Sequence, residues 1–275
     1  MDAQTGELRG GMVVKRHRLA TRIWHWVNAL AVIVMLMSGL MIFNAHPQLY
    51  WGKAGANADP AWLQIGAVGG RGRLEVAGIT IDTTGVLGRW TDRNGQVRNL
   101  AFPGWATIPT DYSLSAARRW HLFFAWVLGI GLLAHWLLSA LNRHWRTLTL
   151  RRAELRPRHL WQEVKDHARL RFPTGAAARG YNTLQKLSYL GVLLVVLPVL
   201  VLTGLAMSPA LNVAWPWLLD LFGGRQSARS IHFIAAFAMT AFILVHLLLV
   251  LLAGPWNETR AMITGRFRLP KERAR

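Results

Sequence analysis

The stretch IHFIAAFAMTAFILVHLLLVLLA, residues Ile231–Ala253, runs for 23 positions without an Asp, Glu, Lys or Arg, yet it carries two histidines, His232 and His246. A helix crosses a bilayer with about 20 apolar residues, so this run is long enough to span one. Working outward, three more uncharged apolar runs of 21 or 22 residues precede it: Ile23–Phe43, Trp120–Leu141 and Leu187–Met207. The first is too long for a cleavable signal sequence. Pro198 in the third predicts a kink, which membrane helices tolerate. The fold class that follows is all-α: a membrane protein built as a four-transmembrane-helix bundle.

Composition supports this class and excludes others. Of 275 residues 52% are hydrophobic and only 16% charged, yet the formal net charge is +19. A soluble nucleic-acid binder of that charge would have charged residues near a quarter of the chain, so nucleic acid is excluded as a partner. With no Cys, the chain has no disulfide scaffold, thiolate metal site, covalently attached c-type haem or thiol nucleophile. Lys and Arg number 5 in residues 1–22, 10 in 142–183 and 6 in 254–275, against 7 in the long segment 44–118 and 1 in 208–228. Positive charge near span ends stays inside. The expected order is therefore a cytoplasmic N-terminus (1–22), TM1 (23–43), a periplasmic loop or cap (44–118), TM2 (119–141), a basic cytoplasmic loop (142–183), TM3 (184–207), a second periplasmic loop (208–228), TM4 (229–253) and a cytoplasmic C-terminus (254–275). The expected location is a bacterial inner membrane, with lipid as the surrounding partner. The three inside segments hold +14 of the net charge, the two outside loops +2, and Arg119, Lys186 and Arg229 the remaining +3.

Loop 44–118 is too long for a mere connector. It holds 11 Gly, a strand expected over Leu74–Asp82, and a hairpin signal in which Asn94–Gly95 joins Arg89–Arg93 to Gln96–Leu100. It reads as a small β-containing cap.

Five of the ten histidines lie in the apolar runs: His25, His121, His135, His232 and His246. Intramembrane ionisable residues usually face a bundle interior with a partner or a function. Proton relays and metal-ion carriers usually mix carboxylates into such a set, and here there are none; imidazole alone suits haem iron. His121 and His135 are 14 residues apart, as are His232 and His246, which puts each pair on one helix face about 21 Å apart along the axis. On depth alone, His121 and His232 share an outer layer and His135 and His246 an inner one, with His25 close to the latter. Two bis-His haems in two layers follow. Arg22, Arg118 and Arg229 each stand three residues before one of these histidines, on the same face, where a guanidinium can meet a haem propionate. Ordinary interfacial charge is the simpler reading of any one of them. Gly39, Gly129, Gly131, Gly191 and Gly204 lie in the runs, where small residues let a flat macrocycle approach. Trp24, Trp26, Trp120, Trp136, Trp215, Trp217 and Trp256 near the span ends read as interfacial anchors. His17, His46, His144, His159 and His167 lie in loops and read as solvated surface.

Four spans, Arg22-Ile23-Trp24-His25 opening the first, Arg118-Arg119-Trp120-His121 opening the second, and two His 14 apart in the fourth resemble the prokaryotic cytochrome b561 family over roughly residues 15–265. This family includes the membrane cytochrome subunits of formate dehydrogenase, nickel–iron hydrogenase and thiosulfate reductase. The resemblance implies a diheme b-type cytochrome passing electrons between a peripheral oxidoreductase and membrane quinone. It gives the outer haem His121 and His232 and the inner haem His25 and His246. His135, which depth alone favoured, then becomes the alternative inner ligand. Tyr181-Asn182-Thr183-Leu184-Gln185-Lys186 is similar to a Tyr-Asn-x-x-Gln-Lys stretch near the inner haem of formate dehydrogenase-type cytochromes. That similarity assigns Asn182, Gln185 and Lys186 to quinone; helix capping by Asn182 is the competing reading.

The function expected is transmembrane electron transfer with two b haems and a diffusible quinone. Loop 44–118 is expected to dock a periplasmic oxidoreductase subunit, molybdenum-containing by family analogy. The rivals are a stand-alone membrane haem reductase of a small acceptor such as superoxide, and a His-lined metal transporter.

Overall fold

The structure, a computed structural model, describes residues 11–56, 59–142, 145–169, 171 and 180–270. His144 and the outermost parts of both expected cytoplasmic ends lie outside the described residues. Strand β1 (Val13–Lys15) leads into helix α1 (Leu19–Phe43). Strands β2 (Gln48–Leu49), β3 (Leu63–Val68), β4 (Arg71–Val76), β5 (Ile79–Asp82), β6 (Trp90–Thr91) and β7 (Val97–Arg98) follow, then α2 (Leu114–Leu141), α3 (Trp145–Leu148) and α4 (Pro157–Ala168). The chain continues through α5 (Thr183–Gly191), α6 (Leu197–Ala206), α7 (Pro209–Ala214), α8 (Pro216–Leu221), α9 (Arg225–Ala253), α10 (Pro255–Thr264) and β8 (Arg266–Arg268). Among the described residues four segments are long and apolar enough to cross a membrane: α1, α2, Thr183–Ala206 and α9. Their outward faces are unshielded, with Leu244, Leu247, Leu248 and Leu251 of α9 all exposed. That is costly in water and normal where the surroundings are as apolar as leucine.

The third span is not one α-helix. A π-helical turn, Val192–Val196, joins α5 to α6, and Pro198 stands at the start of α6. Proline lacks an N–H, and its ring collides with the carbonyl four residues back. A π turn inserts one residue into the spiral, and this is the form the expected distortion takes.

The chain divides into two compact units. One comprises Asn28–Gly131 and Val196–Thr240 and contains the long loop. There β2, β3, β4 and β5 form an antiparallel sheet in that order. Leu49, Leu63 and Ile65 pack with Phe43, Ala101 and Phe102 in one buried cluster, which Phe233 of α9 also touches. The strand expected over Leu74–Asp82 is in fact the end of β4 and all of β5, folded back at Ala77 and Gly78, both in the left-handed region at φ 50° and 84°. The Asn94–Gly95 hairpin is present but wider than a two-residue turn. Thr91 pairs with Val97, and the Asp92 carboxylate caps the five residues between them by accepting from the Asn94 and Gln96 amides. The loop is fastened to α9: Gly52 N–H donates to Ser227 Oγ (2.7 Å), Ser230 Oγ donates to the Tyr50 carbonyl (2.6 Å), and Trp62 Nε1 donates to Ser230 Oγ (2.9 Å).

The other unit comprises the chain up to Val27, Leu132–Val195, and Ala241 onward. In it β1 and β8 pair antiparallel, Val14 opposite Phe267. Phe267, Leu269 and Ala261 form the buried cluster beneath them. Arg16 lies over the Phe267 ring and pairs with Glu258 at 3.3 Å. Burial pushes the Glu258 carboxyl above its ordinary value, and Arg16 pulls it the other way. Helix α4 docks on the start of α5 through His159 Nε2 and Thr183 Oγ1, 2.9 Å apart.

Candidate functional site

Two pairs of imidazoles face each other, one pair in each unit. In the loop-bearing unit His121 of α2 and His232 of α9 have ring centroids 6.2 Å apart, with planes at 61°. His121 Nδ1 is 3.1 Å from both Ser38 Oγ and the Met35 carbonyl of α1. His232 Nδ1 is 2.9 Å from Thr203 Oγ1 of α6. A Cβ on Gly39 would lie 3.4 Å from His121 Cε1, and one on Gly204 would lie 3.6 Å from His232 Cε1. Each imidazole thus rests against a glycine and is held by the hydroxyl residue before it. Taken singly, Ser38 and Thr203 carry no mark in the sequence that the neighbouring glycines do not. The findable signal was the repeated hydroxyl–glycine dipeptide in the first and third spans.

In the other unit His25 of α1 faces His246 of α9, with centroids 6.4 Å apart and planes at 57°. Phe242 stacks on His246 at 5.8 Å. His25 Nδ1 is buried without a hydrogen-bond partner among the described residues. His135 does not face His246. It stacks on Trp24 at 4.2 Å, and its Nε2 is 3.4 Å from Ser139 Oγ.

Two imidazoles bound end-on to one metal at about 2 Å each hold their ring centroids roughly 6 Å apart, and both pairs lie at that separation. Among the described residues no three His, Asp or Glu converge as a metal site. Two ligands are too few for a bare ion, which takes four or more. They are what a macrocycle supplying four nitrogens of its own requires.

The three arginines differ. Arg22 donates through Nη2 to the Ile263 carbonyl, and its Nε is buried without a partner. Arg229 donates to the carbonyls of Gln48 and His46 and lies 5.7 Å above the Phe43 ring. It therefore ties the long loop to α9, with donors left over for an anion. Arg118 is exposed and has no ion pair or hydrogen bond among the described residues.

The segment 181–186 has its own local chemistry. Asn182 caps α5: its side chain accepts from Gln185 N (2.8 Å), and the Gln185 side chain accepts from Asn182 N (3.2 Å), closing a capping box. Asn182 Nδ2 also reaches His167 Nε2 at 3.1 Å. Lys186 pairs with Glu154 at 2.9 Å. The Arg151 amide, together with Lys186, holds the Glu154 carboxyl below its ordinary range. Of the histidines read as surface, His159 and His167 are therefore packing partners of the α5 start.

A family model described as prokaryotic cytochrome b561 matches residues 16–265. The YedZ1 subunit named for a protein-methionine-sulfoxide reductase in Azospira oryzae is 25% identical over 245 residues, covering 89% of this chain and 93% of its own length. A protein of Cupriavidus necator named as a Ni/Fe-hydrogenase B-type cytochrome subunit is 22% identical over 280 residues, covering 94% of this chain and 90% of its own. No solved structure matches. Paired intramembrane imidazoles, four apolar spans and a family match over most of the chain agree: this multi-pass membrane protein belongs to the prokaryotic cytochrome b561 family of b-type cytochromes.

Proposed function

We propose that the protein is a diheme electron-transfer subunit, with His121 and His232 ligating one b haem and His25 and His246 the other. The observation that carries this reading is the matched separation of the two imidazole pairs, 6.2 and 6.4 Å between centroids. Haem, when bound, supplies one-electron iron chemistry at a potential set by its ligands and surroundings. The residues do the rest. Ser38, Met35 and Thr203 orient one pair of rings. Gly39 and Gly204 let the His121 and His232 rings seat against α1 and α6. The apolar helices exclude water. Arg22, with an unpaired buried Nε, is the best placed of the three arginines for a propionate; Arg229 and Arg118 are assigned the same role through their spacing to His232 and His121.

Electrons pass between a periplasmic oxidoreductase subunit docked on loop 44–118 and the quinone pool of a bacterial inner membrane, with both termini cytoplasmic. Both relatives are named as subunits, which supports a partner; a molybdenum-containing one is the class suggested by the family analogy. The quinone contact follows from the resemblance of residues 181–186. Capping accounts for Asn182, which leaves the Gln185 amide N–H₂ and Lys186 as its donors to a quinone carbonyl.

The test is spectroscopic. Membranes reduced with dithionite should show b-type α and Soret bands, and pyridine hemochrome should count about two haems per chain. His25→Leu should lower the count by one and His135→Leu should leave it unchanged. Loss of a haem in His135→Leu alone would overturn the inner assignment, and a colourless folded protein would overturn the whole reading.

A further inference from the structure

The two imidazole pairs are matched in separation but not in support. At His121 and His232 one device occurs twice, on different helices: Ser38–Gly39 of α1 under His121, and Thr203–Gly204 of α6 under His232. The direction of these hydrogen bonds can be read. Thr203 Oγ1 donates its one hydrogen to the carbonyls of Val199 and Leu200 a turn back, so it accepts from His232 Nδ1. The Met35 carbonyl can only accept, so His121 Nδ1 carries a hydrogen. Both rings are therefore held with hydrogen on Nδ1 and a free lone pair on Nε2. At the other pair, His25 Nδ1 is buried with no partner, and His246 makes no hydrogen bond among the described residues.

We propose that Ser38 and Thr203 are positioning residues that hold the outer haem more tightly, and at a lower potential, than the inner one. The proposal rests on the ligand reading above. An imidazole that donates from Nδ1 is a more basic ligand at Nε2, and such outer partners matter about 10–100-fold in metal affinity or activity. A more basic ligand favours ferric over ferrous iron. The haem would supply the one-electron chemistry, with the electron coming from the mediator or redox partner; the protein's part is to keep the Nδ1 hydrogens of His121 and His232 in place, and none of its own bonds forms or breaks. His25, with no acceptor for its buried Nδ1, gives the inner haem no such support.

The experiment uses the full-length protein purified in detergent, wild type beside Ser38→Ala, Thr203→Val, Thr203→Ser and the Ser38→Ala/Thr203→Val double variant. Each is titrated with redox mediators, followed by its α band and by low-spin ferric EPR, and then challenged with apomyoglobin as haem acceptor. Thr203→Val should raise one midpoint and leave the other in place; a tenfold loss of ferric preference reads as about 59 mV for a one-electron couple. Haem should leave that same site 10–100-fold faster. Ser38→Ala should shift the same midpoint in the same direction, since each ring keeps a backbone carbonyl within reach, Met35 for His121 and Leu200 for His232, and the double variant should shift it more than either. Thr203→Ser keeps the hydroxyl and should behave as wild type. If Thr203→Val does not accumulate, Thr203→Ala is read in the same way. The proposal fails if Thr203→Val retains two haems with unchanged midpoints and EPR. It fails equally if Thr203→Ser shifts the potential as far as Thr203→Val, because packing and not the hydroxyl would then be responsible. A wild-type chain without haem overturns the ligand reading instead, and this proposal with it.

Discussion

Gly204 shows how little space one site residue leaves. A methyl there would meet His232 Cε1 at 3.6 Å, which is ordinary contact. A branched side chain would have to displace the ring, and overpacking of that kind costs about 1–3 kcal/mol. Gly204→Ala should therefore keep its full haem complement, while Gly204→Val should lose one haem per chain by hemochrome assay and unfold at lower temperature. At this scale the sequence was most legible where chemistry is rare. Five imidazoles in uncharged runs are conspicuous, and their 14-residue spacing separates them into layers. Facing direction was not legible. Depth places His135 and His25 at similar levels, but only the rotation of α1 and α2 about their axes puts Trp24 over His135 and leaves His25 opposite His246. Ser38 and Thr203 are marked only by their shared hydroxyl–glycine dipeptide, because a single hydroxyl in a membrane helix is common and its partner lies on another helix.

Among the elements, the β6–β7 hairpin depends on one carboxylate. Asp92 accepts from the Gln96 amide, from Arg98 Nε at 2.8 Å and from the Asn94 amide, which together hold it below its ordinary value of 3.8. A folded-state pKa that is depressed stabilises the structure above the unfolded value and loses that contribution as pH falls through the folded one. The hairpin should therefore loosen below about pH 3.8, seen as faster exchange of the Gln96 amide after correction for the intrinsic rate. Asp92→Asn, neutral throughout, should exchange with no such step. The four spans were legible because an uncharged run of 21 to 23 residues has few alternatives. The fold-back at Ala77–Gly78 was not, because a lone glycine inside a strand pattern reads as a tolerated interruption and nothing in the sequence marks Ala77 for a left-handed conformation. The π turn at Val192–Val196 was half legible. Pro198 announced a distortion, but where the spiral absorbs it depends on packing.

For the whole molecule, the distribution of charge fixes the expected topology. With 21 Lys and Arg against 7 Asp and Glu in the three inside segments, reporter fusions should read two sides. Alkaline phosphatase joined after residue 275 should be inactive and green fluorescent protein there should fluoresce, whereas alkaline phosphatase inserted in loop 44–118 should be active. The opposite pattern would reverse the orientation and move the partner to the other side. The β1–β8 ribbon adds a consequence for biosynthesis. Val14 finds Phe267, Arg22 finds the Ile263 carbonyl and Trp26 finds the Met262 carbonyl only once synthesis has passed those late positions. Arg22 and Trp26, on either side of His25, thus wait for carbonyls 241 and 236 residues further along the chain. The partners of His121 and His232 named above all lie at or before His232 itself. On the proposed ligand sets, the Ser38–Thr203 site can be complete while the ribosome is still attached, whereas the arginine and tryptophan beside His25 gain their partners only once residues 262 and 263 are made.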